Sequence, residues 1–181
     1  MREVRLGPGG SLALGGETVL FRHEKTFVNR PLLAVTVHDG LSEEGIAKRL
    51  SSVKDYVFER VGETFTVDLV AVSQRGADDG AFADLASRAF ETSGKPLVLR
   101  ARNRAALEAA AERVKGSGSV LCAASPADAL ALAPVAKEKG HTLCVSAPDV
   151  DSLLDAAARL KEGGCSDILF EVPALSASQR F

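Results

Sequence analysis

Residues 96–125 read PLVLRARNRAALEAAAERVKGSGSVLCAAS, and the pattern in this stretch decides the fold. Two short apolar runs, PLVLRA (96–101) and SVLCAAS (119–125), flank a segment whose apolar residues recur every three or four positions, at Leu107, Ala110, Ala111 and Val114. A short apolar run followed by helical periodicity is typical of a βα unit, and such units build parallel sheets. The stretch therefore predicts a strand, a helix and a second strand.

The same alternation extends over the chain from Pro31 onward. Six apolar runs predict strands at 32–39, 64–73, 96–101, 119–125, 141–147 and 167–172. The first intervening helix is predicted from the apolar face Ile46, Leu50, Val53 and Val57. Helix starts are predicted near Ser42, Asn103, Asp128 and Asp149, because Ser, Asn and Asp cap helix N-termini, and the last helix is predicted to end at Gly163-Gly164.

The predicted strands begin 32, 32, 23, 22 and 26 residues apart, a compact spacing that favours a (β/α) barrel. A complete (β/α)₈ barrel has eight units in about 250 residues. We therefore predict an α/β, TIM-barrel-like repeat of about six βα units over residues 31–181, an incomplete or shortened barrel. The chain is a piece of a longer polypeptide, or a second copy pairs with its open sheet edges as a homodimer.

An N-terminal β-hairpin or ribbon is predicted over residues 1–30, ahead of the barrel. Turn signals at Gly7-Pro8-Gly9-Gly10 and at Gly15-Gly16 separate short apolar runs in this segment. Because it does not share the βα pattern, we expect it to cap part of the barrel.

Composition excludes several classes of partner. A net charge of -2 gives no electrostatic footprint for nucleic acid or for an anionic membrane surface. No window reaches the roughly 18 consecutive apolar residues of a membrane helix, and MREVRLGPGG lacks the apolar core of a secretory signal. Three widely spaced cysteines fit a reducing compartment better than a disulfide framework. We therefore expect a cytoplasmic protein without nucleic acid or membrane partners.

Polar residues follow the predicted strands, where the functional groups of parallel α/β proteins gather. These residues could bind a polar, partly anionic ligand, although the solvated edge of any barrel is also polar. The candidate ligand face consists of His38, Asp39, Gln74, Arg75, Arg100, Arg102, Asn103, Asp149 and Glu171.

Two groups in this face have alternative interpretations. His38 and Asp39 are acid/base candidates, but adjacent strand residues point to opposite sides, and Asp39 also fits a turn into a helix cap. Arg100, Arg102 and Arg104 would share one side of a continued strand and could hold a carboxylate or phosphate, or they form a solvated rim with Arg104 in the next helix.

No catalytic, metal or cofactor site is predicted within the chain. Cys122, Cys144 and Cys165 have neither close pairing nor the dense run of an iron–sulfur site, and we interpret them as small core residues. None of His23, His38 and His141 lies in the D-x-H-x-x-G pattern of a cobalt-ligating histidine, and no phosphate loop or nucleophile elbow is present.

The segment GGETVLFRHEKTF (15–27) does not repeat elsewhere in the chain and holds a charged cluster, Arg22, His23, Glu24 and Lys25. This cluster is either an ion-pair network that ties the ribbon to the barrel or a contact for a partner. With Asn29, Pro31 and LLAVTVHD, the segment resembles the start of the barrel in the large (gamma) subunit of the corrinoid iron–sulfur protein, part of the acetyl-CoA decarbonylase/synthase complex. Later strands such as KPLVLRA, VLCAAS and DILFEV fall where that family has barrel strands.

The resemblance implies a role in one-carbon metabolism through the acetyl-CoA (Wood–Ljungdahl) pathway. In that family a methyl-pterin donates a methyl group to cobalt, and acetyl-CoA synthase takes it onward. The cobalamin and a [4Fe–4S] cluster lie in domains that this chain does not match. Implied partners are the small subunit of the corrinoid protein, a pterin-dependent methyltransferase and acetyl-CoA synthase. We therefore predict a scaffold or docking module without catalytic activity of its own.

Two alternatives remain open. The chain could be a pterin-binding TIM-barrel methyltransferase in which Asp39, Asn103, Asp149 and Glu171 hydrogen-bond the pterin, although a barrel-mouth site draws on several strand ends and two units are missing. It could also be a free-standing shortened barrel that dimerises.

Overall fold

The computed structural model describes residues 2–16 and 29–173. Most of the segment 15–27, including the charged cluster Arg22, His23, Glu24 and Lys25, therefore lies outside the described residues, and both interpretations of that cluster stay predictions. Among the described residues, no helix is both long and apolar enough to cross a lipid bilayer.

Ten strands and five α-helices make up the described part of the chain. In chain order they are β1 (Glu3–Leu6), β2 (Leu12–Gly15), β3 (Ala34–His38), α1 (Glu43–Lys54), β4 (Val57–Arg60), β5 (Glu63–Thr66), β6 (Leu69–Ser73), α2 (Asp79–Ser93), β7 (Leu97–Arg100), α3 (Arg104–Arg113), β8 (Val120–Ala123), α4 (Pro126–Lys139), β9 (Thr142–Ser146), α5 (Val150–Glu162) and β10 (Ile168–Glu171).

Six strands form one parallel sheet in the order β3-β6-β7-β8-β9-β10. Strands that follow one another in the βα repeat are thus neighbours in space, as in a barrel, and consecutive helices contact each other in chain order. In the described residues β3 and β10 do not pair, so the sheet is not closed. The prediction of about six βα units in an incomplete barrel is confirmed.

Alternation along the strands divides the core into two layers. Side chains such as Leu99, Leu121 and Val145 face the helices and are fully buried among them. Their neighbours, including Val120, Cys122 and Cys144, lie on the opposite face, which we call the inner face. Because strand residues alternate sides with a period of two, one sheet serves both layers.

The N-terminal hairpin covers the inner face. Strands β1 and β2 pair antiparallel, and Val4 and Leu6 pack among the inner-face residues of the sheet. The Gly7 amide donates to the Gly118 carbonyl over 2.9 Å, just before β8. Gly118 has φ +60°, and a Cβ there would collide with the Gly7 backbone, so glycine is required for this close approach. The predicted hairpin is confirmed, whereas the domain boundary at residue 30 stays a prediction.

Two sequence-based boundaries are wrong. The run 64–73 is two strands, because β5 pairs antiparallel with β4 and Val67 and Asp68 separate it from β6. Val57, predicted on the apolar face of α1, instead begins β4 and is 61% exposed. The β4–β5 hairpin is thus an insertion that turns at Val61-Gly62, both with positive φ.

Predicted caps are largely in place. Ser42, Asn103 and Asp149 each accept a hydrogen bond from a backbone amide three residues on. At α4 the prediction of Asp128 is wrong, since Ser125 is the N-cap. Asp128 instead accepts a hydrogen bond from the Ser125 hydroxyl over 2.7 Å, a reciprocal arrangement like a capping box.

Candidate functional site

The carboxyl ends of the six parallel strands form one edge of the sheet, and all nine predicted ligand-face residues lie along it. They follow or end β3, β6, β7, β9 and β10, or begin the next helix. The sequence therefore placed them in one region. What each side chain contacts decides whether that region is available to a ligand.

Asp39 is held by the neighbouring connection. Its carboxylate accepts hydrogen bonds from the backbone amides of Arg75 (2.6 Å) and Gly76 (3.1 Å), which joins the end of β3 to the end of β6. His38 does not share this contact, and its Nδ1 is buried without a hydrogen-bond partner among the described residues. The expectation that His38 and Asp39 do not form a pair agrees with this geometry.

Gln74 is the centre of a second set of contacts. Gln74 is only 7% exposed. Its Nε2 donates to Asp79 over 2.8 Å, and its Oε1 accepts from the Arg102 amide over 2.9 Å. Asn103 Nδ2 donates to the same Asp79 carboxylate, while its Oδ1 caps α3 by accepting from the Ala106 amide. These polar groups therefore lock the ends of β6 and β7 to the starts of α2 and α3.

Asp149 serves the N-terminus of α5. Its carboxylate accepts from the Ser152 amide over 2.7 Å and from the Ser152 hydroxyl over 3.0 Å. The amide hydrogen bond, followed by the hydroxyl, holds the pKa of Asp149 below its usual value. This acid is therefore ionised and engaged as a helix cap.

Arg100 and Glu171 form an ion pair across the inner face. Their side chains meet over 2.7 Å although β8 and β9 lie between their strands. Hydrogen bonding to Glu171 raises the pKa of Arg100. Both side chains remain partly exposed, at 48% and 31%, so solvent screens the pair and its contribution to stability is small.

Two arginines of the predicted face remain exposed. Arg75 and Arg102 take part in the edge through their backbone amides, and neither forms an ion pair within residues 2–16 and 29–173. Arg104 is the first residue of α3 and pairs with Glu108 one turn later. The proposed arginine row on one strand face is therefore not formed beyond Arg100, and the solvated-rim interpretation fits this edge better.

The two strand cysteines are neighbours, which the sequence did not predict. Cys122 and Cys144 are register partners on β8 and β9, so their side chains leave the sheet side by side on the inner face, and Arg100 is the register partner of Cys122 on β7. The interaction between the two thiols, followed by burial, raises the pKa of Cys122, and the same interaction lowers the pKa of Cys144. The two cysteines are 22 positions apart in the sequence, so their proximity could be recognised only from the strand register.

The side chains of the described residues do not favour metal binding. It contains no group of three or more His, Cys, Asp or Glu side chains arranged to hold an ion. The chain has three cysteines, whereas a [4Fe–4S] cluster takes four thiolates. This chain alone therefore cannot supply the four thiolates of such a cluster, and the expectation that the cluster and the corrinoid lie outside these residues stays a prediction.

Comparison with solved structures supports the barrel-like architecture. The chain matches the 3-dehydroquinate dehydratase of Aquifex aeolicus with a TM-score of 0.50 and 14% identity, covering 82% of this chain and 69% of that one. At this identity the likeness concerns the fold alone. It agrees with a TIM-barrel-like sheet that is not closed in the described residues.

Comparison with known sequences covers almost the whole chain. The chain is 32% identical over 173 residues to the acetyl-CoA decarbonylase/synthase complex subunit gamma 2 of Methanosarcina mazei, and 29% identical over 170 residues to the gamma subunit of Archaeoglobus fulgidus. These matches span 94% and 93% of this chain but only 37% and 36% of the relatives. A family model described as CO dehydrogenase/acetyl-CoA synthase delta subunit matches residues 3–178. The chain therefore belongs to this family, and the resemblance to the gamma subunits of the acetyl-CoA decarbonylase/synthase complex, inferred from GGETVLFRHEKTF, is confirmed.

Proposed function

We propose that this chain is a barrel scaffold and docking module of a corrinoid iron–sulfur methyl carrier in the acetyl-CoA pathway. It would support methyl transfer from a methyl-pterin through cobalt to acetyl-CoA synthase without performing that chemistry itself. Family membership supports the pathway, since the relatives are subunits of the acetyl-CoA decarbonylase/synthase complex. The cobalamin and the cluster would belong to parts of the larger protein outside these 181 residues.

One observation carries the scaffold role: the carboxylate and amide side chains at the strand ends are used within the chain. Asp39 binds two backbone amides, Asn103 and Asp149 cap helices, and Glu171 pairs with Arg100. A pterin site built on these four residues would have to break contacts that hold the edge together. Such a cost favours structure over ligand binding.

Titration of the chain with methyltetrahydrofolate by calorimetry tests this proposal. A scaffold gives no saturable heat at concentrations where a pterin methyltransferase would bind. Saturable binding that is lost in Asn103→Ala would favour the methyltransferase alternative instead. Arg113→Ala is a matched control, because it removes a polar side chain from the same helix at a position facing Asp84, away from the strand ends.

A docking role also requires a contact surface, and the β4–β5 hairpin is the best candidate. Nine large apolar side chains are exposed in the part of the chain that the structure describes, and four of them lie in residues 56–61: Tyr56, Val57, Phe58 and Val61. Exposed apolar groups concentrated in one segment are typical of protein–protein contacts. We expect this hairpin to contact another subunit of the complex, with the small subunit of the corrinoid protein as the first candidate.

Co-purification with the small subunit, the methyltransferase and acetyl-CoA synthase tests the docking surface. Phe58→Ser should weaken association with one of these proteins while leaving the fold intact, since Phe58 is 48% exposed. Leu154→Ser on α5 is the matched control, because Leu154 is an exposed apolar residue elsewhere, at 59%. Equal loss in both variants would contradict a role for the hairpin.

A free-standing shortened barrel remains the third proposal. Its sheet would dimerise through the β3 or β10 edge, which lack sheet partners among the described residues. Sedimentation separates this alternative from the others: a folded monomer at micromolar concentration counts against it, and a dimer that dissociates when β10 is altered supports it.

A further inference from the structure

The inner face holds a pair of thiols that the proposed scaffold role does not use. Cys122 and Cys144 are direct neighbours in the β8–β9 register, so their side chains leave the sheet on the same face. Both thiols belong to the same buried cluster of the inner face. Val4, Leu6 and Val120 surround them on the side toward the hairpin.

The backbone geometry suits a covalent link between these thiols. Neighbouring strands of a sheet lie about 4.8 Å apart, which falls within the Cα separations of about 4.4–6.8 Å that disulfides span. Because the two side chains leave parallel strands in the same direction, their Cβ atoms lie about one strand spacing apart, slightly beyond the roughly 3.5–4.5 Å of most disulfides, so the link needs side-chain rotation and a small local adjustment of the strands. Cys165 follows α5 and is not a register partner of either residue.

A small oxidant can reach the pair. Cys122 and Cys144 are 7% and 8% exposed, whereas the helix-facing neighbours Leu121 and Val145 are at 0%. Arg100, the register partner of Cys122 on β7, and its partner Glu171 are themselves partly open to solvent. Arg100 places a positive charge near both sulfur atoms, and its partner Glu171 places a negative charge there as well, so the ion pair as a whole does not select the thiolate form.

We propose that Cys122 and Cys144 are a reactive dithiol that a peroxide converts into a disulfide joining β8 to β9. Cys144 is the attacking group, because the Cys122 thiol beside it lowers the pKa of Cys144. Its Sγ takes one peroxide oxygen, the O–O bond breaks, and a sulfenic acid and hydroxide form. Hydroxide removes the Cys122 proton. The Cys122 Sγ then attacks the Cys144 Sγ, the S–S bond forms, and the departing hydroxide takes up the proton that Cys144 had lost. Two thiols and one hydrogen peroxide thus give one disulfide and two waters.

Mass spectrometry of the peroxide-treated chain tests this proposal. Treatment of the reduced protein with hydrogen peroxide should lower the intact mass by about 2 Da, the two hydrogens lost when a disulfide forms. Thiol titration after denaturation should fall from three free cysteines to one, since the chain has three. Peptide mapping should then find Cys122 joined to Cys144, with Cys165 still open to alkylation.

Single-cysteine changes separate the two roles. Cys122→Ser should stop the reaction at a sulfenic acid on Cys144 that dimedone traps, whereas Cys144→Ser should leave Cys122 reduced. Cys165→Ser is the control and should form the same disulfide as the unaltered chain. A disulfide that includes Cys165, or three free thiols after treatment of the unaltered chain, would overturn the proposal whatever the folding of the variants.

Discussion

The two ends of the parallel sheet each hold an arginine–carboxylate pair, but the pairs differ in burial. At the amino end, Arg30 binds both oxygens of Asp68, whose side chain is 3% exposed and also accepts from the Leu33 amide. At the carboxyl end, Arg100 and Glu171 share one hydrogen bond and are both partly exposed. The Asp68 carboxylate at the amino end is therefore buried although Arg30 is half exposed, whereas the carboxyl end is an open edge of caps and local hydrogen bonds.

This difference bears on function because barrel proteins place their chemistry at the carboxyl end. Here the carboxylate and amide side chains of the predicted ligand face bind groups of the chain itself, whereas Arg75 and Arg102 are exposed. At the opposite end the buried Asp68 carboxylate accepts three hydrogen bonds. If the carboxyl end is structural, substitutions there should lower the free energy of unfolding modestly, in proportion to the contacts removed. Substitutions at the amino end should lower the free energy of unfolding by more.

The largest effect is expected at the close approach of the hairpin to the sheet. Gly118→Ala places a methyl group against the Gly7 backbone and keeps φ positive, so the hairpin must shift. We expect the free energy of unfolding to fall by about 3 kcal/mol or more, measured by urea denaturation. Gly116→Ala is the matched control: it has φ +77° but nothing within 4 Å, and backbone strain alone costs about 1–2 kcal/mol. Equal losses in the two variants would show that the hairpin contact is not tight.

The second-largest effect is expected at the Arg30–Asp68 pair, whose carboxylate is buried. Asp68→Ala leaves the Leu33 amide and the Arg30 guanidinium without their acceptor, and we expect a loss of about 2–3 kcal/mol in the free energy of unfolding. Asp84→Ala, which removes an exposed partner of Arg113, should change stability by less than about 0.5 kcal/mol. A neutral Asp68→Ala would remove the contrast between the two ends of the sheet.

At the carboxyl end, loss of a helix cap should have an intermediate effect. Asn103→Ala removes the acceptor for the Ala106 amide and the hydrogen bonds to Asp79, at a cost of about 1 kcal/mol. Asn103→Asp is the informative companion, because it keeps the cap but places a second carboxylate beside Asp79. Thermal unfolding should rank the unaltered chain above both variants. An unchanged Asn103→Ala would mean that this side chain is free for a ligand.

The exposed ion pair should contribute least among the side-chain contacts. Glu171→Gln keeps the shape of the side chain and removes its charge, and we expect a change below about 1 kcal/mol because solvent screens the pair. The same variant leaves Arg100 as a cation over the two cysteines. A loss as large as that of Asp68→Ala would mean that the two ends are equally constrained.

The smallest effect is a pH dependence at the α5 cap. Asp149 has a lowered pKa in the folded chain, so its contribution to stability is present above the usual value of 3.8 and is lost as the pH falls through the folded pKa. Asp149→Asn keeps a capping oxygen and should flatten this part of the acid-unfolding curve. Identical curves below pH 4 would contradict the assignment of Asp149 as an ionised cap.

Most of the architecture could be predicted from the sequence, because strands, helices and helix caps depend on local patterns of residues. Apolar runs and caps such as Ser42 and Asp149 act within a few residues of where they occur. The β4–β5 hairpin was missed because Thr64 to Thr66 continues the alternation of the following strand, and only pairing with β4 shows the break. The contacts of the site were missed for a related reason. Asp39 binds residues 36 and 37 positions away and Arg100 binds one 71 positions away, so their partners depend on strand register.

The most direct test of the scaffold proposal is calorimetric titration of this chain with methyltetrahydrofolate, in parallel with a pterin-dependent methyltransferase as positive control. The scaffold proposal predicts saturable heat for the methyltransferase and none for this chain, since Asp39, Asn103, Asp149 and Glu171 are already engaged within it. Saturable binding by this chain alone, weakened by Asn103→Ala, would contradict that proposal and make the carboxyl end of the sheet a pterin site.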